Sequence, residues 1–189
     1  RSAFAIWRGC PGLLNHKSMQ RKAVFLDRDG VIVRTVGWEN GGAPHAPFSR
    51  AGFSFLPHVE ESLTMLKAAG FIRILISNQP DVAYGHISEE EWQSMHSEVE
   101  KLNFDDIFLC RHTRDANCHC KKPRPGLLHE AVQKWNIALS DSFFVGDTEA
   151  DIGAAEAMKC RTVLIDWPYN RNLRSDFRAG HLLDAATII

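Results

Sequence analysis

Two carboxylates stand where an apolar run of this sequence stops. Ala23-Val24-Phe25-Leu26 leads straight into Asp27-Arg28-Asp29-Gly30. Residues two apart on a strand share a face, and a bend at Gly30 lets Asp27 and Asp29 reach one ion or one phosphate. Acids this close repel each other, and a bound cation relieves the repulsion. An EF-hand calcium loop does not fit. With Asp27 at its first position, the chain offers Val31, Ile32 and Trp38 where that loop needs an acid or amide, a glycine and a glutamate. A plain polar turn is the competing reading of this motif taken alone.

Two further apolar runs end in the same way. Phe71-Ile72-Arg73-Ile74-Leu75-Ile76 stops at Ser77-Asn78-Gln79-Pro80, and Phe143-Phe144-Val145 stops at Gly146-Asp147-Thr148-Glu149-Ala150-Asp151. Between them Lys121-Lys122-Pro123-Arg124-Pro125-Gly126 stands at the mouth of an expected helix. Hydrolysis of a phosphate monoester takes a nucleophile, a cation, donors for the phosphoryl charge and an acid for the leaving group. Each part has a candidate here. Singly, Ser77 reads as a turn residue and Lys122 as a solvated lysine. At strand ends, however, Ser77 can donate its hydroxyl and backbone N–H to phosphoryl oxygens, and Lys122 can bring a charge on a long stem. Asp151 has the weaker case, since an acid there also favours the first turn of a helix.

Cys110, His112, Cys118 and Cys120 form two pairs, each with one intervening residue. Three thiolates and one imidazole match a closed tetrahedral structural zinc site, with free loop thiols as the alternative. His119 is a competing ligand, but it lies between two cysteines whose side chains would point the other way. Cys10 and Cys160 stand apart, and Cys160 reads as a buried apolar thiol.

Taken in order, these motifs resemble the haloacid dehalogenase (HAD) superfamily of phosphohydrolases, from about residue 21 to residue 165. The resemblance implies an α/β fold, an HAD-like Rossmannoid doubly wound parallel sheet, and Mg²⁺-dependent phosphomonoester hydrolysis through an aspartyl phosphate. By the resemblance, Asp27 attacks phosphorus. Asp29 protonates the departing alkoxide and then deprotonates the water. Asp147, the Asp27 carboxylate and the Asp29 carbonyl hold Mg²⁺. Ser77 and Lys122 bind the phosphoryl group.

The spacing from Cys110 to Gly126 narrows the resemblance to the small, uncapped branch that includes heptose bisphosphate phosphatases and histidinol phosphatases. There a Zn²⁺ on Cys110, His112, Cys118 and Cys120 pins the loop that carries Lys121 and Lys122. Asn78, Lys121 and Thr148 are the expected substrate contacts. The implied substrate is a small phosphorylated sugar, first of all D-glycero-D-manno-heptose 1,7-bisphosphate losing its 7-phosphate. Lys121 stands where those enzymes usually have arginine, Tyr84 replaces a common arginine and Thr148 a frequent lysine. These changes bear on substrate identity, since arginine and lysine are not interchangeable at a bidentate phosphate contact. The alternatives are a histidinol-phosphate phosphatase, a polynucleotide end phosphatase, which should show a basic groove with stacking aromatics, and a non-catalytic binding module. The intact Asp27, Asp29, Lys122 and Asp147 argue against the last.

The 189 residues are 44% hydrophobic and 24% charged, with a net charge of -1. That is ordinary for a globular protein and leaves no electrostatic footprint for nucleic acid. No apolar stretch reaches the length of a membrane span, and Trp7, Arg8, Gly9, Pro11 and Asn15 interrupt any secretory core. The expectation is a cytoplasmic monomer without nucleic-acid or membrane partners. Residues 1–20 form an N-terminal extension, and one domain spans 21–189 with its zinc loop at 110–120.

The elements that position these residues follow from pattern. Val24 to Leu26 is too continuously apolar for a strand with one wet face, so it reads as the interior of a parallel sheet, whose ligands lie at strand carboxyl ends. Pro57 suits the first turn of a helix to Ala69, with Val59, Leu63 and Leu66 inward and Gly70 as terminator. The second strand follows at once. Ser88-Glu89-Glu90-Glu91 reads as a capping box opening a helix to about Leu102. Residues 107–109 read as a strand, 126–135 as a helix, 143–145 as a strand, 149–158 as a helix and 162–165 as a strand. The tail wraps back and ends in a short helix through Leu182, Leu183 and Ala186. The 31–56 and 78–85 loops are too short to fold as a cap, and the first can wall a substrate entrance.

Overall fold

A computed structural model describes residues 20–189; Cys10, Met19 and the expected N-terminal extension, apart from Gln20, lie outside the described residues. Six strands form one parallel sheet: β1 (Ala23–Leu26), β2 (Ile72–Asn78), β3 (Asp106–Cys110), β4 (Phe143–Gly146), β5 (Arg161–Ile165) and β6 (Phe177–Ala179). Their order is β3-β2-β1-β4-β5-β6. Phe25 sits beside Ile74 on one flank and Phe144 on the other.

Alternation along each strand feeds two cores. Val24 and Leu26 of β1 face a cluster built with α1 (Val59–Ala68), α2 (Glu89–Glu100) and α5 (Leu182–Ile188). Ala23 and Phe25 face the other, built with α3 (Gly126–Trp135) and α4 (Glu149–Ala157). With both faces covered, the strands read as unbroken apolar runs. Arg73, buried in the middle of β2, is satisfied by Asp105 at 3.0 Å and by the carbonyl of Leu63.

Three local expectations are corrected. The tail contributes a sixth strand, β6, before its helix. Pro57 is not in the first helical turn: His58 takes a left-handed conformation (φ 62) as the N-cap and α1 begins at Val59. Only half of the capping box forms at α2. The Ser88 hydroxyl accepts from Glu91 N at 3.1 Å, but the Glu91 carboxylate accepts instead from Arg50 N on the 31–56 loop. Among the described residues, no helix is long and apolar enough to cross a membrane.

Candidate active site

The strand order reverses between β1 and β4, and a parallel α/β sheet opens a crevice at that point. Asp27 leaves the end of β1 and Asp147 the end of β4, tied by Asp27 N donating to the Val145 carbonyl at 3.0 Å. Gly30 completes the approach. Its φ is +84, and a Cβ there would lie 2.1 Å from Asp147 Oδ2, so only glycine admits the Asp147 carboxylate against the turn.

Asp27, Asp147 and Asp151 bring carboxylate oxygens within 4.8 Å of one another, all buried. Lys122 enters the same space, with Nζ 2.8 Å from Asp27 Oδ1, 2.6 Å from Asp151 Oδ1 and 2.8 Å from the Ile76 carbonyl. Burial works against the lysine's charge, but Asp151 and Asp27 outweigh it and hold its pKa above the usual value. Three acids face one base, and the surplus shows. Burial, with Asp151 and Asp29, raises Asp27 from 3.8 to about 6 against the pull of Lys122. Burial, then Asp151 and Asp27, push Asp147 well above its ordinary value. Asp27 Oδ1, sealed from solvent, meets the Lys122 ammonium, and Asp147 Oδ1 is sealed with no hydrogen-bond partner among the described residues. Surplus negative charge with an unpartnered Asp147 oxygen fits a hard divalent cation.

Asp151 serves two elements. Its Oδ2 caps α4 by accepting from Thr148 N at 3.0 Å and the Thr148 hydroxyl at 2.6 Å, while Oδ1 holds Lys122. Thr148, expected at the substrate, therefore has its hydroxyl committed to the cap, though it still lines the cleft. Asn78 is committed too. Its Nδ2 donates to the Lys122 carbonyl at 3.1 Å and its Oδ1 accepts from Lys122 N at 3.0 Å, which fixes the lysine's backbone to the end of β2.

The Asp29 carboxylate lies against the protein. Arg28, itself buried, reaches Oδ1 with Nε at 3.1 Å and Nη2 at 3.0 Å, and Gln79 Nε2 reaches Oδ2 at 2.6 Å. Ser77, buried at the end of β2, accepts from the same Gln79 nitrogen at 3.1 Å.

A cleft of about 220 Å³ exposes Asp27, Asp29, Asp147 and Lys122, with Thr35, Pro44, His45 and Ala46 of the 31–56 loop forming its far wall. An adjoining cleft of about 630 Å³ shares Lys122 and Ala150 with it and is rimmed by Tyr84, Arg114, Lys121 and Arg124. Among the described residues, Lys121 Nζ donates to the His112 carbonyl at 3.3 Å, whereas Arg124 bonds the Cys118 carbonyl and Asn117.

Above the second cleft, Cys110, His112, Cys118 and Cys120 place their ligand atoms within 4.8 Å of one another. Sulfur pairs lie 3.3 and 3.5 Å apart, and His112 Nδ1 is 3.2 Å from Cys120 Sγ. A tetrahedral zinc with about 2.3 Å bonds to sulfur spans edges of about 3.8 Å, so the cluster needs only slight expansion. Three sulfurs this close cannot all ionise without a cation. His119 is not in the cluster.

Residues 119–167 match the HAD-hydrolase-like family. The chain is 30% identical over 151 residues to the D-glycero-beta-D-manno-heptose-1,7-bisphosphate 7-phosphatase of Helicobacter pylori, covering 76% of this chain and 83% of that protein. It is 33% identical over 158 residues to the enzyme of the same name from Pasteurella multocida, covering 77% and 82%. The chain belongs to the HAD family of phosphatases. Its fold superposes on the D,D-heptose 1,7-bisphosphate phosphatase from B. bronchiseptica, solved with magnesium and phosphate, with a TM-score of 0.75 at 23% identity over 88% of this chain and 97% of that one.

Several residues of this HAD phosphatase escaped the sequence reading. Tyr169 donates to Asp147 Oδ2 at 2.5 Å, and Asn170 Nδ2 donates to the Asp147 carbonyl at 2.7 Å. Trp167 donates to the Gly30 carbonyl at 2.9 Å and stacks on Tyr169 at 5.9 Å, with Trp38 edge-on to both. The Trp167-Pro168-Tyr169-Asn170 stretch thus clamps Asp147 and the Gly30 turn from the end of β5. Its position at a strand's carboxyl end was the available signal. Arg28 and Gln79, each adjacent to a selected motif residue, were the others.

Proposed function

We propose that this HAD phosphatase hydrolyses a small phosphorylated sugar through a phosphorylated Asp27. The observation that carries the reading is the buried cluster of Asp27, Asp147 and Asp151 oxygens, more acid than the one charged Lys122 offsets, at the floor of an open cleft. In the first step an Asp27 oxygen bonds to phosphorus, the bond from phosphorus to the ester oxygen breaks, and that oxygen takes a proton from Asp29. In the second, Asp29 takes a proton from water, the water oxygen bonds to phosphorus, and the bond to Asp27 breaks. Lys122 and the Ser77 hydroxyl hold the phosphoryl oxygens while their charge shifts. Asp27, Asp147 and the Asp29 carbonyl are the residues to hold Mg²⁺. When bound, the ion neutralises the surplus acid and stabilises charge on the phosphoryl oxygens. Asn78 acts by fixing Lys122, and Thr148 by capping α4.

Zn²⁺ on Cys110, His112, Cys118 and Cys120 is structural in this reading. It anchors the loop from which Lys121 and Lys122 project, and the Asn78 bonds to Lys122 transmit that order to the floor of the cleft. Lys121 and Arg114 face the adjoining cleft, where a second anionic group of the substrate can sit. Those cations, with the names of the relatives, support D-glycero-D-manno-heptose 1,7-bisphosphate, with the 7-phosphate reacting at Lys122 and the 1-phosphate near Lys121. A panel of sugar phosphates, sugar bisphosphates and histidinol phosphate tests this. Bisphosphates should give the highest kcat/KM, and Lys121→Ala should raise KM for them while sparing a simple aryl phosphate. Preference for histidinol phosphate, or equal loss on every substrate, rejects the assignment.

A further inference from the structure

Behind the cleft lies a buried polar chain with a fixed direction. Gln79 is 1% exposed and Trp92, on α2, is 4% exposed. Trp92 Nε1 lies 3.1 Å from the Gln79 amide oxygen. An indole N–H can only donate, so it dictates which end of the amide faces it. The Gln79 nitrogen is thereby turned toward Ser77 Oγ at 3.1 Å and Asp29 Oδ2 at 2.6 Å. One donor thus reaches two groups with assigned roles in the proposed reaction. By filling an acceptor site on Ser77, it leaves the hydroxyl proton free for another acceptor, the role that the proposed reaction gives to a phosphoryl oxygen. By gripping Oδ2 while Arg28 grips Oδ1, it holds the Asp29 carboxylate in place. Ser77 lies near the end of β2, beside Asn78, and Trp92 is anchored on α2 against Met95 and Ile87.

We propose that Gln79, oriented by Trp92, is a positioning residue that sets the hydrogen-bond polarity of Ser77 and the placement of Asp29. This rests on the roles given above to those two residues. Gln79 touches no reacting atom, so its effect must appear in how Ser77 and Asp29 behave. Gln79→Glu keeps the shape and can still accept from Trp92, but offers Ser77 an acceptor. The hydroxyl then turns away from the phosphoryl group, and a second carboxylate meets Asp29. Trp92→Phe keeps an aromatic ring in the core but removes the donor that orients the amide, together with part of the buried side chain.

The test measures kcat and KM on an aryl phosphate, whose leaving group needs no proton, and on an alkyl phosphate, whose leaving group does. Inhibition by vanadate, a mimic of the transferring phosphoryl group, and the melting temperature are measured alongside. Gln79→Glu should lower kcat about 100-fold or more on both substrates, with a larger loss on the alkyl ester, and weaken vanadate inhibition. Trp92→Phe should shift the alkyl-to-aryl ratio and vanadate inhibition in the same direction, about tenfold in kcat, with a melting temperature lowered by the smaller ring and the unpaired Gln79 oxygen. If Gln79→Glu does not fold, Trp92→Phe decides alone. A Trp92→Phe enzyme with wild-type ratio and wild-type vanadate inhibition overturns the proposal, whatever its stability. Asp29→Asn separates the two readings. If it keeps the wild-type alkyl-to-aryl ratio, Asp29 is not the acid, and weakened vanadate inhibition in the Gln79 and Trp92 variants still supports the orientation of Ser77.

Discussion

Asp27→Asn should end turnover and at the same time stabilise the Mg²⁺-free protein at neutral pH. Asp27, Asp147 and Asp151 share a buried space with one ammonium. Burial above all raises the Asp27 carboxyl from 3.8 to about 6. A carboxyl whose folded pKa lies above its unfolded value favours folding below about 3.8, and that preference is lost as the pH rises through about 6. Above that, holding it ionised costs about 3 kcal/mol, at about 1.4 kcal/mol per tenfold. Asparagine has nearly the same shape and no charge to hold, but its imperfectly bonded amide takes back about 1–2 kcal/mol. The remaining gain of about 1–2 kcal/mol corresponds to about 3–6 °C in a chain of this size. Calorimetry in Mg²⁺-free buffer, with zinc retained, should show it at about pH 7.5 and not at about pH 4.5, where the native aspartate is also neutral. Added Mg²⁺ should raise the melting temperature of the native protein more than that of the variant. A variant no more stable than the native protein at neutral pH, or a gain that persists in acid, would refute the argument from surplus charge.

Gly30→Ala should cost about 1–2 kcal/mol in backbone strain at φ +84. It should also lower kcat about 100-fold, because the new Cβ displaces the Asp147 carboxylate, and kinetics at saturating Mg²⁺ check this. Tyr169→Phe removes the 2.5 Å bond to Asp147 Oδ2, so the Mg²⁺ concentration for half activity should rise about tenfold or more. A Mg²⁺ titration shows it, with kcat at saturation little changed. Elemental analysis of dialysed protein should find one zinc per chain, and Cys118→Ser should lose that zinc and lower activity about tenfold through the Lys122 loop.

What could be read from the sequence were the places where a local pattern and a function coincide. Apolar runs that stop at Asp27, Ser77 and Asp147 reveal strand ends because a strand buried on both faces leaves no polar alternation to confuse the signal. The Cys110, His112, Cys118 and Cys120 cluster was legible because its members stand within eleven positions of one another. β6 was not, since Phe177-Arg178-Ala179 is three residues long and largely exposed at a sheet edge, too short for any periodicity. Pro57 misled because a fixed φ is compatible with the residue before a cap as well as with a first turn. Glu91 misled because its partner, Arg50, lies 41 residues away. The same distance effect hid Tyr169, Asn170 and Gln79. Their roles exist only once β5 lies beside β4 and α2 lies behind β2, and polar residues at such positions look like ordinary turns until then. Asp151 shows the opposite limit: the helix-start reading holds, since its Oδ2 caps α4, while its Oδ1 also binds Lys122, a contact 29 residues away in sequence that no local pattern could reveal.

The most direct measurement is acid quench of the enzyme during turnover of a sugar bisphosphate, followed by peptide mass spectrometry. The proposed chemistry requires a phosphoryl group on Asp27, present at short times and absent from the Asp27→Asn protein. Steady release of phosphate with no covalent intermediate, or a phosphoryl group on any other residue, would contradict it.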